Sequence, residues 1–122
     1  MSLRVLVVDD AAFLRMQLKQ VFEKFGAEVV AEASNGAECL EQYDVFHPDL
    51  VTMDITMPDM DGITALRLLK EKHPEAKVVM CSAMGQQEKL FESIQAGAFD
   101  FIVKPFSSDK IASIVKQLEK KR

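Results

Sequence analysis

The sequence predicts an α/β fold in which five short strands alternate with five amphipathic helices around one parallel sheet. Unbroken β-branched and apolar runs take turns with runs of helical period, the pattern of successive βαβ units with right-handed crossovers. The 122 residues are the size of one domain. The strand-like runs end on polar residues, Asp9-Asp10, Asp54, Ser82 and Lys104, which a parallel sheet would collect on a single rim.

Val5 to Val8 is continuously apolar and reads as a strand buried on both faces. From Asp10 the period changes. Leu14, Leu18, Val21, Phe22 and Phe25 share a helix face, and Gly26 stops it. Glu28 to Ala33 is a less continuous strand, suited to a sheet edge. Asn35-Gly36 opens a helix running to about Phe46, closed by His47-Pro48. Leu50 to Met53 is the third strand, and Asp54 to Asp61 is a loop broken by Pro58. Ile63, Leu66 and Leu69 mark a helix that ends before Pro74. Lys77 to Cys81 is the fourth strand, Ser82 to Gly85 a turn, and Leu90, Phe91 and Ile94 mark a helix ending at Gly97. Phe99 to Val103 is the fifth strand. Ser107 or Ser108 caps a last helix carrying Ile111, Ile114, Val115 and Leu118, with Lys116 and the basic run 120–122 favourable at its negative end.

Fifteen basic and nineteen acidic residues give a net charge of −4. That balance disfavours nucleic-acid binding, which calls for a basic stripe, and the interspersed charges do not describe a disordered acidic tail. No run approaches the roughly 20 apolar residues of a membrane helix, and Met1-Ser2-Leu3-Arg4 leads into a strand without signal-peptide layout. A cytoplasmic protein is expected, with residues 1–122 as one domain whose own surface is its output. Cys39 and Cys81 lack CxxC spacing and read as packed, reduced thiols in preference to a disulfide or metal site.

Three carboxylates on one rim raise each other's pKa and cost stability unless a cation joins them. Mg²⁺ suits a site of few carboxylates plus waters and a phosphate oxygen. For Asp10 alone, capping of the first helix is the competing explanation. A carboxylate beside Mg²⁺ can attack a phosphoryl group and form an aspartyl phosphate, while Lys104 neutralises charge on the phosphoryl oxygens. Aspartate-nucleophile phosphatases of the haloacid dehalogenase type place an acid–base Asp two residues after the nucleophile. That position here is Thr56. Both histidines, His47 and His73, precede prolines at helix ends far from the rim. A site that takes phosphate without a base to expel it stores phosphate, and storage suggests a signal.

At these residues the sequence resembles a known family. Val7-Val8-Asp9-Asp10, the run Met53 to Gly62, Cys81-Ser82-Ala83 and Val103-Lys104-Pro105-Phe106 are similar to the receiver domains of bacterial two-component response regulators. Asp10-Ala11-Ala12-Phe13 and Cys81 to Gln87 are most similar to its stand-alone chemotaxis members. The resemblance spans essentially the whole chain. It implies a flavodoxin-like (βα)5 doubly wound sandwich with strand order 2-1-3-4-5. It implies Asp54 as phosphoacceptor, with Mg²⁺ held by Asp10, Asp54 and the Thr56 backbone carbonyl, and by Asp9 mainly through water. Lys104 would pair with the phosphoryl group across a cis Lys104-Pro105 bond, and Ser82 would hydrogen-bond it after phosphorylation. Phe101 would be an aromatic switch swinging toward the small Ala83, although from the residues alone it also reads as a core residue of the fifth strand. Many members carry Tyr where this chain has Phe101, so one hydrogen bond to a partner is lost and the packing half of a switch stays. Asp59 and Asp61 read as solvated loop acids.

The implied partners are a histidine kinase of the CheA type and a flagellar switch protein of the FliM type, with a chemotaxis phosphatase as a further one. The implied output face is the fourth helix, fifth strand and fifth helix of a monomer. The competing readings are a phosphorelay intermediate, a Mg²⁺-dependent phosphatase and a nucleotide or flavin binder. Thr56 argues against the phosphatase. The glycine-free turn Asp9-Asp10-Ala11-Ala12 argues against the nucleotide binder. The apolar Met84 beside the path of an attacking water implies slow self-dephosphorylation.

Overall fold

The structure, a computed structural model, describes residues 2–120. The expectation for the basic side chains at 120–122 lies outside the described residues. The elements run β1 (Arg4–Val8), α1 (Ala12–Lys24), β2 (Glu28–Ala33), α2 (Gly36–Phe46), β3 (Leu50–Asp54), α3 (Gly62–Lys72), β4 (Val78–Ser82), α4 (Gln87–Gln95), β5 (Asp100–Val103) and α5 (Ser108–Lys120). All neighbouring strands pair in parallel, in the order β2-β1-β3-β4-β5. This is the flavodoxin-like α/β architecture expected.

Alternation along each strand divides the core in two. Leu6, Val8, Val51, Met53, Val78 and Met80 face α2 and α3, where Cys39, Tyr43, Leu66 and Leu69 close the layer. Val5, Val7, Leu50, Val79, Cys81 and Ile102 face α1 and α5, against Leu18, Phe22, Ile111, Ile114 and Leu118. β1, β3 and β4 are buried almost throughout because helices cover both faces, so their sequences are continuous apolar runs. β2 lies at an edge and is partly exposed, as its mixed sequence suggested. Truncating a fully buried side chain such as Phe22 or Leu66 would cost about 3–5 kcal/mol, from lost transfer energy and the cavity left behind.

Several boundaries differ from the sequence-based expectation. α1 starts at Ala12 and its cap position falls on Ala11. Asp10 is therefore not the helix cap, and the Ala11 N–H is instead taken by Asp9 Oδ1 at 2.9 Å. β3 and β4 each run one residue further, to Asp54 and Ser82, because the ladder continues through Asp54↔Cys81 and Ser82↔Val103. Asp61 is more than a solvated acid: its carboxylate accepts the Thr64 N–H at 2.8 Å and caps α3. Ser107, rather than Ser108, stands ahead of α5 and accepts the Lys110 N–H at 3.4 Å. Gly26 closes α1 with φ of 86°, a left-handed conformation that glycine adopts without a Cβ clash.

Candidate functional site

The carboxyl ends of β1, β3, β4 and β5 converge as the parallel order requires. Asp9 is buried after β1, Asp54 is buried as the last residue of β3, and Asp10 is exposed beside them. One oxygen from each of the three carboxylates lies within 4.8 Å of the others. Lys104, following β5, reaches in with its ammonium 3.2 Å from Asp9 Oδ2 and 3.3 Å from Asp54 Oδ2. The Lys104–Pro105 bond is cis, as the resemblance implied. Ser82 is fully buried, and among the described residues its hydroxyl has no hydrogen-bond partner.

The local sequence explains how Asp54 is held. Gly62 opens α3 directly against the β3 backbone. A Cβ there would lie 2.0 Å from the Asp54 carbonyl oxygen, so only glycine lets the helix start so close. The Gly62 N–H donates to the Ile55 carbonyl at 2.7 Å, and the Ile55 N–H donates to Cys81 at 3.1 Å. The end of β3 is thus pinned from both sides. On β1, Arg15 donates to the Asp9 backbone carbonyl at 2.6 Å and to Glu32 Oε1 at 2.9 Å.

The electrostatics follow from burial. Desolvation pushes the Asp54 carboxyl above its ordinary range, the nearby Asp9 charge adds to the rise, and Lys104 opposes it. Burial works against the Lys104 ammonium, yet Asp54 and Asp9 outweigh it and hold the group above its ordinary value. Burial pushes the Cys81 thiol up to about 12, so it stays protonated although it neighbours Asp54. Burial likewise holds Cys39 at about 12, in keeping with two packed thiols.

This donor set fits a hard divalent cation. It is all oxygen, carries more negative charge than one ammonium balances, and keeps one carboxylate, Asp10, open to solvent. A cation among the three carboxylates would relieve the Asp9 repulsion that adds to the effect of burial on Asp54.

Of the remaining expected site residues, Thr56, Ala83 and Met84 lie on the loops after β3 and β4, whereas Phe101 lies within β5. Thr56 is exposed on the β3–α3 loop, and its hydroxyl accepts from Gln86 Nε2 at 3.1 Å. Ala83 is exposed after β4, and its N–H donates to Gln86 Oε1 at 2.7 Å. Met84 is 78% exposed beside a groove of about 620 Å³ that also meets Leu14, Val21, Lys104 and Phe106. Phe101 is half-buried on β5 with the Lys110 ammonium 5.2 Å from its ring centre. His47 and His73 cap α2 and α3 at their C-terminal ends and cluster with Tyr43, which accounts for them without the rim. Arg15, Gly62 and the bridging role of Gln86 were not foreseen. The glycine was the most legible of these, standing where the loop gives way to a helical period.

A model of the response regulator receiver domain matches residues 5–116. The chain is 56% identical over 117 residues to the chemotaxis protein CheY of Bacillus subtilis, covering 96% of this chain and 98% of that protein. It is 52% identical to CheY of Thermotoga maritima, covering 98% of this chain and all of that protein. Its structure is similar to CheY in the crystal structure of a CheX–CheY–BeF3–Mg²⁺ complex from Borrelia burgdorferi. The TM-score there is 0.89, at 38% identity, with 96% of this chain and 89% of that chain covered.

Proposed function

The chain belongs to the response regulator receiver domain family, and on that premise we propose that it is a phosphorylation-activated chemotaxis regulator. In this reading Asp54 accepts a phosphoryl group from a histidine kinase of the CheA type, and the phosphorylated protein then binds a flagellar switch protein of the FliM type. The observation that carries it is the pairing of a buried Asp54 carboxylate with Lys104 Nζ at 3.3 Å inside a three-carboxylate cluster.

Asp54 Oδ attacks phosphorus. The new O–P bond forms as the bond to the donor's leaving group breaks, and that group departs with the electron pair. Lys104 compensates negative charge on the phosphoryl oxygens, having already a place between Asp9 and Asp54. Ser82, buried with a free hydroxyl, supplies an O–H donor to a phosphoryl oxygen. Asp9, Asp10, Asp54 and the Thr56 carbonyl would hold Mg²⁺, which supplies further positive charge there when bound. Thr56 carries no group able to act as a base at neutral pH, which favours a stored phosphate over phosphatase turnover, and the apolar Met84 favours slow self-dephosphorylation.

The signal leaves through the protein's own surface. Of the α4, β5 and α5 face, α4 presents Phe91 and Ile94 and β5 presents Val103, all exposed apolar side chains. Moving such a surface from mostly off to mostly on takes roughly 5.5 kcal/mol of differential stabilisation, so phosphorylation and partner binding share the work. Phe101, half-buried at that face, is the switch residue of this account, packing toward Ala83 in the activated state. Residues 1–122 act as one receiver domain, a cytoplasmic monomer that a chemotaxis phosphatase resets.

The test is to phosphorylate the protein with acetyl phosphate and Mg²⁺ and titrate it against a fluorescent peptide of the flagellar switch protein. At least tenfold tighter binding after phosphorylation is expected. Equal affinity before and after would overturn the chemotaxis output and leave the phosphorelay reading in its place.

A further inference from the structure

Two loops flank Asp54, residues 55–61 after β3 and 83–86 after β4, and one side chain ties them together. Gln86 Oε1 accepts the Ala83 N–H at 2.7 Å, while its Nε2 donates to the Thr56 hydroxyl at 3.1 Å. Gln86 also stands at the cap position of α4, where its carbonyl accepts the Leu90 N–H at 3.0 Å. A single residue therefore joins the amide next to Ser82, the residue two beyond Asp54 and the first turn of the helix that exposes Phe91 and Ile94.

The two groups closing β4 are in opposite states. The Ser82 hydroxyl is buried and without a hydrogen-bond partner among the described residues, whereas the Ala83 N–H is already engaged by Gln86. An acyl phosphate on Asp54 would bring anionic acceptor oxygens to this rim. A charged acceptor makes a bond roughly twice as strong as a neutral amide oxygen does, so it competes successfully for the same N–H.

We infer that Gln86 is a positioning residue that latches the β4–α4 loop in its unphosphorylated arrangement, and that phosphorylation of Asp54 opens the latch by taking the Ala83 N–H. The inference rests on the phosphoacceptor reading of Asp54. Opening frees Gln86 Oε1 and leaves the bond to Thr56 without its counterpart on the β4–α4 loop. Because Gln86 precedes α4, the change passes directly into the first turn of the output helix.

The experiment uses the full chain with Mg²⁺ and follows, by NMR, amide exchange at Ala83 and the Gln86 side-chain NH2 resonances before and after acetyl phosphate. In the unphosphorylated wild type the Ala83 amide should exchange about 3- to 10-fold more slowly than in Gln86→Leu, the ratio one neutral hydrogen bond carries. Thr56→Val, which removes one anchor only, should fall between them. Phosphorylation should shift the Gln86 NH2 resonances in the wild type as Oε1 loses the Ala83 N–H, and unphosphorylated Gln86→Leu should show α4 resonances displaced toward their phosphorylated positions. Gln86 is half-buried and both its side-chain bonds lie at the surface, so Gln86→Leu should unfold close to the wild-type urea midpoint, which separates a latch from a general loss of structure. If the wild type takes up the phosphoryl group while Gln86 and Ala83 stay unchanged, the latch is overturned and the phosphoacceptor reading stands. If the wild type takes up none, that reading falls and the latch with it.

Discussion

Gly62→Ala tests how the fold positions Asp54. The added Cβ would sit 2.0 Å from the Asp54 carbonyl oxygen and 2.9 Å from both the Asp54 carbonyl carbon and Ile55 Cα, where ordinary contact begins near 3.4 Å. All three atoms are backbone, so no rotamer change relieves the clash. Either α3 or the end of β3 must move. Overpacking of this kind costs about 1–3 kcal/mol, and weakening the 2.7 Å Gly62–Ile55 hydrogen bond adds roughly 1 kcal/mol. Replacing glycine in a helix returns about 0.5–1 kcal/mol. The net expectation is a destabilisation of about 1–3.5 kcal/mol, or a melting temperature lower by roughly 5–15 °C for a domain of this size. Gly36→Ala is the matched control. Its Cβ would first meet Met60 Sδ at 2.6 Å, part of a flexible side chain that can swing away, and then Ala65 Cβ at 3.1 Å, which must give by only a few tenths of an ångström, so it should cost about 1 kcal/mol, less than Gly62→Ala. Urea unfolding followed by far-UV circular dichroism measures both. Equal midpoints for the two variants, or a Gly62→Ala protein as stable as the wild type, would refute the close-approach argument.

Further outcomes follow from the charges and caps. Burial, with Asp9 adding and Lys104 opposing, holds the Asp54 pKa above its unfolded value. The stability it contributes is thus present below the ordinary carboxylate range near 4 and is lost as pH rises through the raised value. In EDTA, Asp54→Asn should therefore gain on the wild type as pH climbs from about 4 to 8, and urea midpoints that move in parallel would contradict this. Lys104→Met removes the ammonium shared by Asp9 and Asp54, and should cost about 1–3 kcal/mol in EDTA, partly restored by Mg²⁺ in a thermal melt. The same variant should slow acetyl phosphate labelling about 100-fold, and an unchanged rate would remove Lys104 from the charge-compensating role. Asp61→Ala deletes the α3 cap and should cost about 1 kcal/mol in the same unfolding assay, while an unchanged midpoint would mean the cap is replaced by water.

Much of this was legible in the chain because parallel βαβ folds write their topology plainly. Doubly covered strands such as Val5–Val8 and Leu50–Met53 have to be apolar throughout, so the polar residues ending them stood out and marked the rim. What stayed hidden depends on side-chain direction. Gln86 reads as one polar residue among several in a turn, and its link to Thr56 crosses 30 positions of sequence. Arg15 lies six residues past Asp9, yet nothing in the period says that it folds back onto that residue's carbonyl. Asp61 was passed over because a loop acid and a helix cap differ only in whether a free N–H waits three residues on. Asp10 went the other way, since a helix beginning one residue later left it uncapped and open beside the acidic cluster.

The central claim is that Asp54 is the phosphoacceptor of a Mg²⁺-requiring site. Intact-protein mass spectrometry after incubation with acetyl phosphate, with and without Mg²⁺, tests it most directly, with peptide mapping to locate the label. The account predicts one phosphoryl group per chain, on the peptide containing Asp54, present with Mg²⁺ and lost in EDTA and in Asp54→Ala. Labelling that maps to another residue in the wild type, or that proceeds equally in EDTA, would contradict it.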